Sequence, residues 1–171
     1  ALNKVRDTAT SHERTFVIEV MGRRAGHIAL CTGLASGAEA ILVPEIPFDL
    51  NAICEKIKLG YKRGKLHSII IVAEGAASSI DVGKVIQENT RLDTRVIILG
   101  HLQRGGTPTA YDRILASRFG GTAIDLLKEN VKDKMVGLIN GKIVLTDIEE
   151  VLSTTKPFDM ELYELADILS Y

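Results

Sequence analysis

The segment Gly100–Pro108, with the sequence GHLQRGGTP, carries the side chains best suited to binding an anion. His101 and Arg104 stand three residues apart, and a planar guanidinium beside a second cationic donor satisfies several phosphate oxygens at once. The pair Gly105–Gly106 permits positive φ angles and a close approach of the backbone to a ligand. A lone histidine is usually structural, but these residue types together favour a phosphate-binding loop.

Two further turns place candidate groups directly after strand-like runs. Met21–Gly26 (MGRRAG) follows one run, and a glycine-containing turn into a helix exposes backbone N–H groups to an anion. Two glycines also make an ordinary tight turn, so this pattern alone leaves both interpretations open. Glu74 follows another run, and it either accepts hydrogen bonds from ligand hydroxyls or caps a helix.

These groups must be positioned by an alternation of short apolar runs with longer amphipathic stretches, which is typical of βαβ units. Runs without polar alternation indicate strands that are covered by helices on both faces. We therefore predict a Rossmann-like three-layer α/β/α domain with a mainly parallel sheet, in which ligands bind outside the carboxyl ends of the strands. The predicted strands are Phe16–Val20, Ala40–Val43, Ser68–Val72 and Arg95–Leu99, and the predicted helices are Arg24–Ser36, Leu50–Lys62, Ile80–Glu88 and Thr109–Lys128.

The ends of the chain add a β-hairpin and two helical segments. Asn140–Gly141 lies between apolar runs in Met135–Leu145, which is a strong short-range hairpin signal, and Asp159–Leu169 has helical periodicity. Ala1–Asp7 resembles the last turns of a helix, so we expect the chain to be part of a longer polypeptide. Because no repeat or low-complexity linker interrupts the sequence, we expect residues 1–171 to form a single domain.

Composition narrows the class of protein. Apolar residues make up 46% and charged residues 25% of the chain, and the net charge is −1, so no global basic field indicates a nucleic-acid partner. No apolar run approaches the roughly 18 residues of a membrane span, and we expect a cytoplasmic protein. Cys31 and Cys54 lie in helical patterns without metal-ligand spacing, so both are expected to be small buried residues.

Several segments, in the same order and spacing, resemble the C-terminal half of the bacterial 6-phosphofructokinases. The resemblance runs essentially from Ala1 to Tyr171, and its most specific blocks are LGHLQRGGTP and DRILASR. The other matching segments are RDTATSHERT, MGRRAGHIAL, VPEIPF, AEGA and TRVII.

The resemblance implies an enzyme that transfers the γ-phosphoryl group of ATP to the 1-hydroxyl of fructose 6-phosphate with Mg²⁺. Arg23 matches an arginine near the transferring phosphoryl group, where a fixed guanidinium balances the charge of the transition state. Glu74, together with the backbone of Met21 and Gly22, matches the positions that hold the sugar hydroxyls.

Four cationic residues match the positions that hold the 6-phosphate. His101 and Arg104 are the contacts within one subunit, whereas Arg14 and Arg95 match arginines that reach across a subunit interface into the neighbouring site. By position alone, either of these two arginines also fits a surface ion pair, which contributes little. The resemblance thus implies a homo-oligomer, a tetramer in the complete enzyme.

A second constellation matches the family's allosteric pocket between subunits, where ADP or phosphoenolpyruvate binds. Its members here are Arg6, Glu39, Arg63 and Lys65. Without the resemblance, the last two read as a basic helix end, and most such clusters are only solvated. Leu66 stands where a second lysine is frequent, so the sign and strength of any effect are not assigned.

The family's glycine-rich ATP loop and catalytic aspartate belong to the N-terminal half, and no GGDGS-like or TIDND-like segment occurs in this chain. We therefore expect ATP and Mg²⁺ to be bound mainly by that half, with no metal site here. Because positioning and charge neutralisation would both be incomplete, we expect the chain alone to be inactive. Two alternatives stay open: a fragment of a pyrophosphate-dependent phosphofructokinase, and a sugar-phosphate sensor that performs no chemistry.

Overall fold

The computed structural model describes the backbone of residues 1–12 and 14–170 and the side chains of residues 1–7 and 14–170. Residues 8–13 of the RDTATSHERT block and Tyr171 therefore fall wholly or partly outside the described residues. The chain forms two compact units, one of Ala1–Gly105 with Phe158–Tyr171 and one of Gly106–Pro157. The single domain expected over residues 1–171 stays a prediction.

Helices and strands alternate along the first unit, as predicted. None of the helices in the described part of the chain is long and apolar enough to cross a membrane. In chain order the elements are α1 (Leu2–His12), β1 (Thr15–Val20), α2 (His27–Ser36), β2 (Ala40–Leu42), α3 (Leu50–Lys62), β3 (Ser68–Ala73), α4 (Ser79–Thr90), β4 (Thr94–Ile98), a 3-10 helix (Gly100–Arg104), α5 (Ala110–Lys128), β5 (Lys134–Ile139), β6 (Lys142–Asp147), α6 (Ile148–Ser153) and α7 (Met160–Leu169).

The first unit is built on a parallel sheet of four strands in the order β2-β3-β1-β4. β1 pairs with β3 on one side and with β4 on the other, in a register that places Thr15 opposite both Ser68 and Thr94. The mainly parallel α/β fold is therefore confirmed, and the observed strand ends differ from the predicted ones by one residue or so.

Two apolar clusters, one on each face of the sheet, explain why the strand sequences lack polar alternation. Successive side chains of a strand point to opposite faces, so alternate residues enter different clusters. On one face Ile18 and Ile71 pack with α2, and on the other Val17 and Ile70 pack with Cys54 of α3. Every residue of β3 is buried. Cys31, in contrast, lies exposed on the outer side of α2, so the expectation of two buried cysteines is wrong for this one.

Most helices begin where a side chain caps them. Asp49 accepts a hydrogen bond from the Asn51 N–H at 2.8 Å, which starts α3 at its predicted residue. Asp159 accepts from the Leu162 N–H at 2.9 Å and starts α7. α2 has no side-chain cap and begins at His27, three residues later than predicted, because the preceding residues form a tight turn.

The second unit contains α5, the β5–β6 hairpin and α6. A reciprocal pair between Thr109 and Asp112 caps α5 at its N-terminus. Asn140 and Gly141 have φ angles of 50° and 77°, which is the geometry expected of a two-residue hairpin turn. The predicted hairpin is confirmed, whereas the short helix α6 was not predicted.

The order of the strands creates a crevice at one end of the sheet. After β1 the chain passes through α2 toward β2, and after β3 it passes through α4 toward β4 on the opposite face. The loops that leave the adjacent strands β1 and β3 therefore part in opposite directions. Such a reversal at the carboxyl ends of parallel strands is where open α/β sheets bind their ligands.

Candidate functional site

An open depression of about 900 Å³ lies at the carboxyl ends of β1, β3 and β4. Five of its six lining residues are ones that the sequence singled out, and Arg24 is the addition. The lining consists of Met21, Arg23, Arg24, Glu74, His101 and Arg104.

The turn after β1 is held by side chains from the neighbouring loops. The N–H groups of Gly22 and Arg23 both donate to Glu74 Oε1, at 3.1 and 2.7 Å. The Met21 N–H donates to Gln103 Oε1 at 2.8 Å. Three consecutive N–H groups of this turn are thus fixed by two oxygens, so Glu74 acts on the backbone of the site itself and does not cap a helix.

Close backbone packing explains the glycines of the two loops. A Cβ on Gly75 would lie 1.7 Å from the Arg23 carbonyl oxygen, and a Cβ on Gly22 would lie 2.3 Å from that of Ala25. Arg23 itself has a φ of 51°, which is uncommon for a residue with a side chain and recurs at functional sites. The AEGA and MGRRAG segments therefore form one interlocked piece.

The far end of the same turn is held by Glu45, which follows β2. The Gly26 N–H donates to Glu45 Oε1 at 2.8 Å, and a Cβ on Gly26 would lie 2.4 Å from Val43 Cγ1. Sequence reasoning missed both Glu45 and Gln103, because neither has a spacing that marks it as a backbone acceptor. Only their inclusion in blocks that resemble a known family pointed to these segments.

The charges of the depression favour an anionic ligand. Arg23, Arg24 and Arg104 face a single carboxylate, that of Glu74. The hydrogen bonds from the Arg23 and Gly22 N–H groups lower the pKa of Glu74 below its ordinary value, and the charges of Arg23 and Arg104 add to this. The depression therefore offers guanidinium groups to a phosphate and an ionised acceptor to hydroxyl groups.

His101 and Arg104 lie on the short 3-10 helix that follows β4, and both are exposed. Positive φ angles occur at Gly100 (45°) and Gly106 (117°), whereas Gly105 is extended at −100°. The predicted phosphate-binding pair is thus presented by a turn of helix, with glycine geometry at only one of the two positions expected.

Arg14 and Arg95 lie at the opposite end of the sheet. Arg14 precedes β1, and its Nε is 2.8 Å from Asp93 Oδ2, while Arg95 Nε is 3.1 Å from Asp93 Oδ1. The hydrogen bond from Arg14, reinforced by Arg95, lowers the pKa of Asp93. A strand of about six residues is roughly 20 Å long, so the structure does not bring these arginines to the depression.

Three of the four residues matched to the allosteric pocket line one cavity of about 280 Å³ beside the end of α3, namely Glu39, Arg63 and Lys65. Lys65 Nζ lies 2.8 Å from Glu39 Oε1, and the Ile69 N–H donates to Glu39 Oε2. Glu39 is buried, so its charge is balanced within the fold. Arg6 lies on α1 and is not part of this lining.

Sequence reasoning missed the part of this cavity that comes from the C-terminal helix. Lys56 Nζ lies 2.7 Å from Asp167 Oδ1 and also donates to Ser170 Oγ, which ties α3 to α7. Lys56 and Ser170 both line the cavity. Their contact joins residues more than a hundred positions apart, which no local pattern could have shown.

The described part of the chain contains no cluster of metal-ligating side chains. Among those residues, no three His, Cys, Asp or Glu side chains converge as metal ligands.

The fold and the site define the class: an α/β protein with a ligand site at the carboxyl ends of the strands of a parallel sheet. The site is lined by arginines, and its loops depend on closely packed glycines. Residues 1–127 match the family described as phosphofructokinase. The chain belongs to this phosphofructokinase family.

Curated relatives extend the match over nearly the whole chain. The ATP-dependent 6-phosphofructokinase of Halothermothrix orenii is 56% identical over 181 aligned residues and that of Bacillus subtilis 55% identical over 170, each covering 99% of this chain. The match takes up 54% and 53% of their own lengths, so the chain spans about half the length of these relatives.

Solved structures show the same fold. The phosphofructokinase of Saccharomyces cerevisiae superimposes with a TM-score of 0.82 at 35% identity, covering 98% of this chain and 23% of that one. A pyrophosphate-dependent phosphofructokinase from Marinobacter aquaeolei superimposes with a TM-score of 0.80 over 94% of this chain and 47% of that one. At 21% identity, the second likeness concerns the fold alone.

Proposed function

We propose that this chain is the sugar-phosphate-binding half of an ATP-dependent 6-phosphofructokinase, which converts ATP and fructose 6-phosphate to ADP and fructose 1,6-bisphosphate. The observation that carries the proposal is the depression in which Arg23, His101 and Arg104 surround the ionised Glu74. It offers cationic groups to a phosphate and a carboxylate to hydroxyls, which are the two chemical features of a sugar phosphate.

Within this site each group has a distinct role. His101 and Arg104 bind the 6-phosphate, and Glu74 accepts hydrogen bonds from the sugar hydroxyls beside the backbone of Met21 and Gly22. Arg23 is the catalytic residue of this half, because its guanidinium balances the charge that spreads over the transferring phosphoryl oxygens. Each charged hydrogen bond contributes about 1.5–3 kcal/mol, so the loss of one weakens binding roughly ten- to a hundredfold.

In this proposal the other half of the enzyme binds ATP and Mg²⁺ and supplies the catalytic base. The chain alone is therefore inactive. It acts as part of the complete enzyme, in the cytoplasm. The names of the close relatives favour ATP as the phosphoryl donor. The pyrophosphate-dependent structures are only 21% and 23% identical to this chain over the aligned residues, so they support the fold and not the donor.

The position of two arginines supports an assembly of several copies in the complete enzyme. Arg14 and Arg95 lie at the end of the sheet opposite the depression, so they reach a sugar phosphate only in a neighbouring copy. In this proposal Asp93 holds the pair together in the free chain, and the 6-phosphate of the neighbouring site replaces it as their partner. A homotetramer is the closed assembly that we expect.

A second binding function, for an effector, is supported by the cavity beside α3. Arg63 and Lys65 supply positive charge there, and the buried Glu39 fixes the lysine. We propose that this cavity, with Arg6 contributed from elsewhere in the assembly, binds ADP or phosphoenolpyruvate.

The test is a two-dimensional NMR titration of this chain with fructose 6-phosphate at low salt. We expect saturable shifts around Arg23, Glu74 and His101, with an affinity in the millimolar range. These shifts are lost in Arg104→Ala and kept in Lys58→Ala, which removes the same charge from the outer surface of α3. A folded wild-type chain that shows no shifts, or an Arg104→Ala variant that shifts like the wild type, would contradict the proposal.

A further inference from the structure

Gln103 stands between the two residues of the proposed phosphate site, yet it does not line the depression. Its side chain is half-buried, and its Oε1 accepts the Met21 N–H at 2.8 Å. The amide group is therefore used inside the structure, on the backbone of another loop. The Oε1 of Gln103 therefore acts on the ligand through Met21.

The bond from Met21 to Gln103 joins two loops beyond the point where their strands stop pairing. Leu99 N donates to the Glu19 carbonyl at 3.1 Å, which is the last backbone bond between β4 and β1. Past it, within the residues that the structure describes, the Gln103 amide makes the one hydrogen bond between the 3-10 helix and the turn after β1.

The Met21–Gln103 hydrogen bond fixes the distance between the 3-10 helix and the turn after β1, and the proposed chemistry depends on this distance. His101 and Arg104 belong to the 3-10 helix, whereas Arg23 belongs to the turn after β1. A ligand that contacts both groups at once requires them at one fixed separation, and a misplacement of about 1 Å is costly in catalysis. Glu74 fixes the turn to the loop after β3, but among the described contacts it makes no hydrogen bond to the 3-10 helix.

We propose that Gln103 is a positioning residue, which sets the spacing between the phosphate-binding pair and Arg23 by holding the Met21 N–H. The proposal rests on the proposed function, because the two groups must serve the same ligand. It also explains the residue type. A neutral amide accepts the N–H as a carboxylate would, but it adds no negative charge between the two residues that bind the phosphate.

Two variants with side chains of similar size separate the effect of the hydrogen bond from the effect of charge at position 103. Gln103→Met removes the acceptor, and Gln103→Glu keeps an acceptor while adding a negative charge. Both are titrated with fructose 6-phosphate and, separately, with inorganic phosphate, which needs only one of the two groups. Hydrogen exchange of the Met21 amide reports directly on the bond.

In Gln103→Met we expect faster exchange at Met21 and a two- to tenfold weaker affinity for fructose 6-phosphate, which is about the effect of one hydrogen bond. Its affinity for inorganic phosphate stays at the wild-type value. In Gln103→Glu the Met21 amide stays protected, and both ligands bind more weakly because of the added charge.

Equal weakening of both ligands in Gln103→Met, or unchanged binding of both, would overturn the positioning role while leaving the sugar-phosphate site in place. If the folded wild-type chain binds neither ligand, the proposed function fails and the positioning role fails with it. Full protection of Met21 in Gln103→Met would also overturn the positioning role.

Discussion

At the scale of single residues, Glu74 connects the geometry of the site to its charge. One of its oxygens accepts the N–H groups of both Gly22 and Arg23, and these bonds lower its pKa below the ordinary value of 4.5. A carboxylate whose pKa is lower in the folded state stabilises the fold at pH values above its unfolded pKa. That contribution is lost as the pH falls through the lower, folded pKa.

We therefore expect Glu74→Gln to flatten the acid side of the stability profile. Glutamine keeps an oxygen for the backbone but carries no charge that protonation could remove. Urea unfolding from pH 6 to pH 3 should show the wild-type advantage over the variant shrinking once the pH falls below the ordinary value of 4.5. Glu88→Gln, on the exposed surface of α4, serves as control, and parallel wild-type and Glu74→Gln curves would contradict the expectation.

The residues that could be predicted at this scale share one property, which is that they lie in the segments that follow strands. The rule that ligands bind at the carboxyl ends of parallel strands needs only sequence order, and it selected Glu74, His101, Arg104 and the turn that contains Arg23. The role of Arg23 itself came from the family resemblance. Gln103 and Glu45 act by approaching a backbone from a distant loop. No pattern of residue types encodes such an approach, so their roles became visible only in three dimensions.

At the scale of the elements, the loops after β1 and β3 fit together without spare room. The Arg23 carbonyl occupies the space where a side chain on Gly75 would begin, at 1.7 Å from an added Cβ. Real Cβ atoms do not approach an oxygen so closely, so one loop must move if this glycine is replaced. Any such movement also strains the hydrogen bonds to Glu74.

Gly75→Ala should consequently destabilise the fold by about 1–3 kcal/mol, the usual range for an overpacked site, and abolish the binding of fructose 6-phosphate. Gly120→Ala is the matched control, because nothing lies within 4 Å of an added Cβ at this position of α5. It should be neutral or stabilising by up to about 1 kcal/mol, since alanine favours a helix. Urea unfolding with a parallel titration measures both effects, and equal behaviour of the two variants would refute the steric argument.

Element boundaries were predictable where a cap and a periodic pattern agree. Asp49 and Asp159 each stand one residue before the helix they cap, and α3 and α7 begin beside them. The predicted start of α2 was wrong because Arg24 and Ala25 continue the preceding turn. That turn is held by hydrogen bonds to Glu74 and Glu45, so it depends on tertiary contacts. The helix α6 was not predicted because its six residues are too few to show helical periodicity.

At the scale of the whole molecule, the sheet separates two groups of arginines. Arg23 and Arg104 line the depression at its carboxyl edge, whereas Arg14 and Arg95 share Asp93 at the amino edge. One copy of the chain cannot offer both groups to one ligand. Under the proposed function, Arg14 and Arg95 of each copy contribute to the sugar-phosphate site of a neighbour. The site of that copy is completed in turn by the same two arginines of a neighbouring copy.

Mixing two defective enzymes tests this exchange. We consider this chain joined to the N-terminal half of the Bacillus subtilis relative, with either Arg14→Ala or Arg104→Ala. Each variant alone should have strongly reduced activity with fructose 6-phosphate. After dissociation and joint reassembly, about a quarter of the sites combine an intact Arg14 with an intact Arg104, so activity should rise well above the sum of the two.

An activity of the mixture equal to the mean of the separate variants would show that both arginines act within one copy. The control is a mixture of Arg104→Ala with the Arg104→Ala/Arg14→Ala double variant. It contains no site with both arginines intact and should gain nothing on reassembly.

The hydrogen bond between Met21 and Gln103 spans 82 positions of sequence, and this has a consequence for the order of folding. Long-range contacts form only after the chain between them has been closed into a loop, at a cost in entropy. Here that loop contains β2, β3 and β4, so we expect the bond to form late, after these strands have paired. We therefore expect amide exchange at Met21 to report local opening of the site before the sheet itself unfolds.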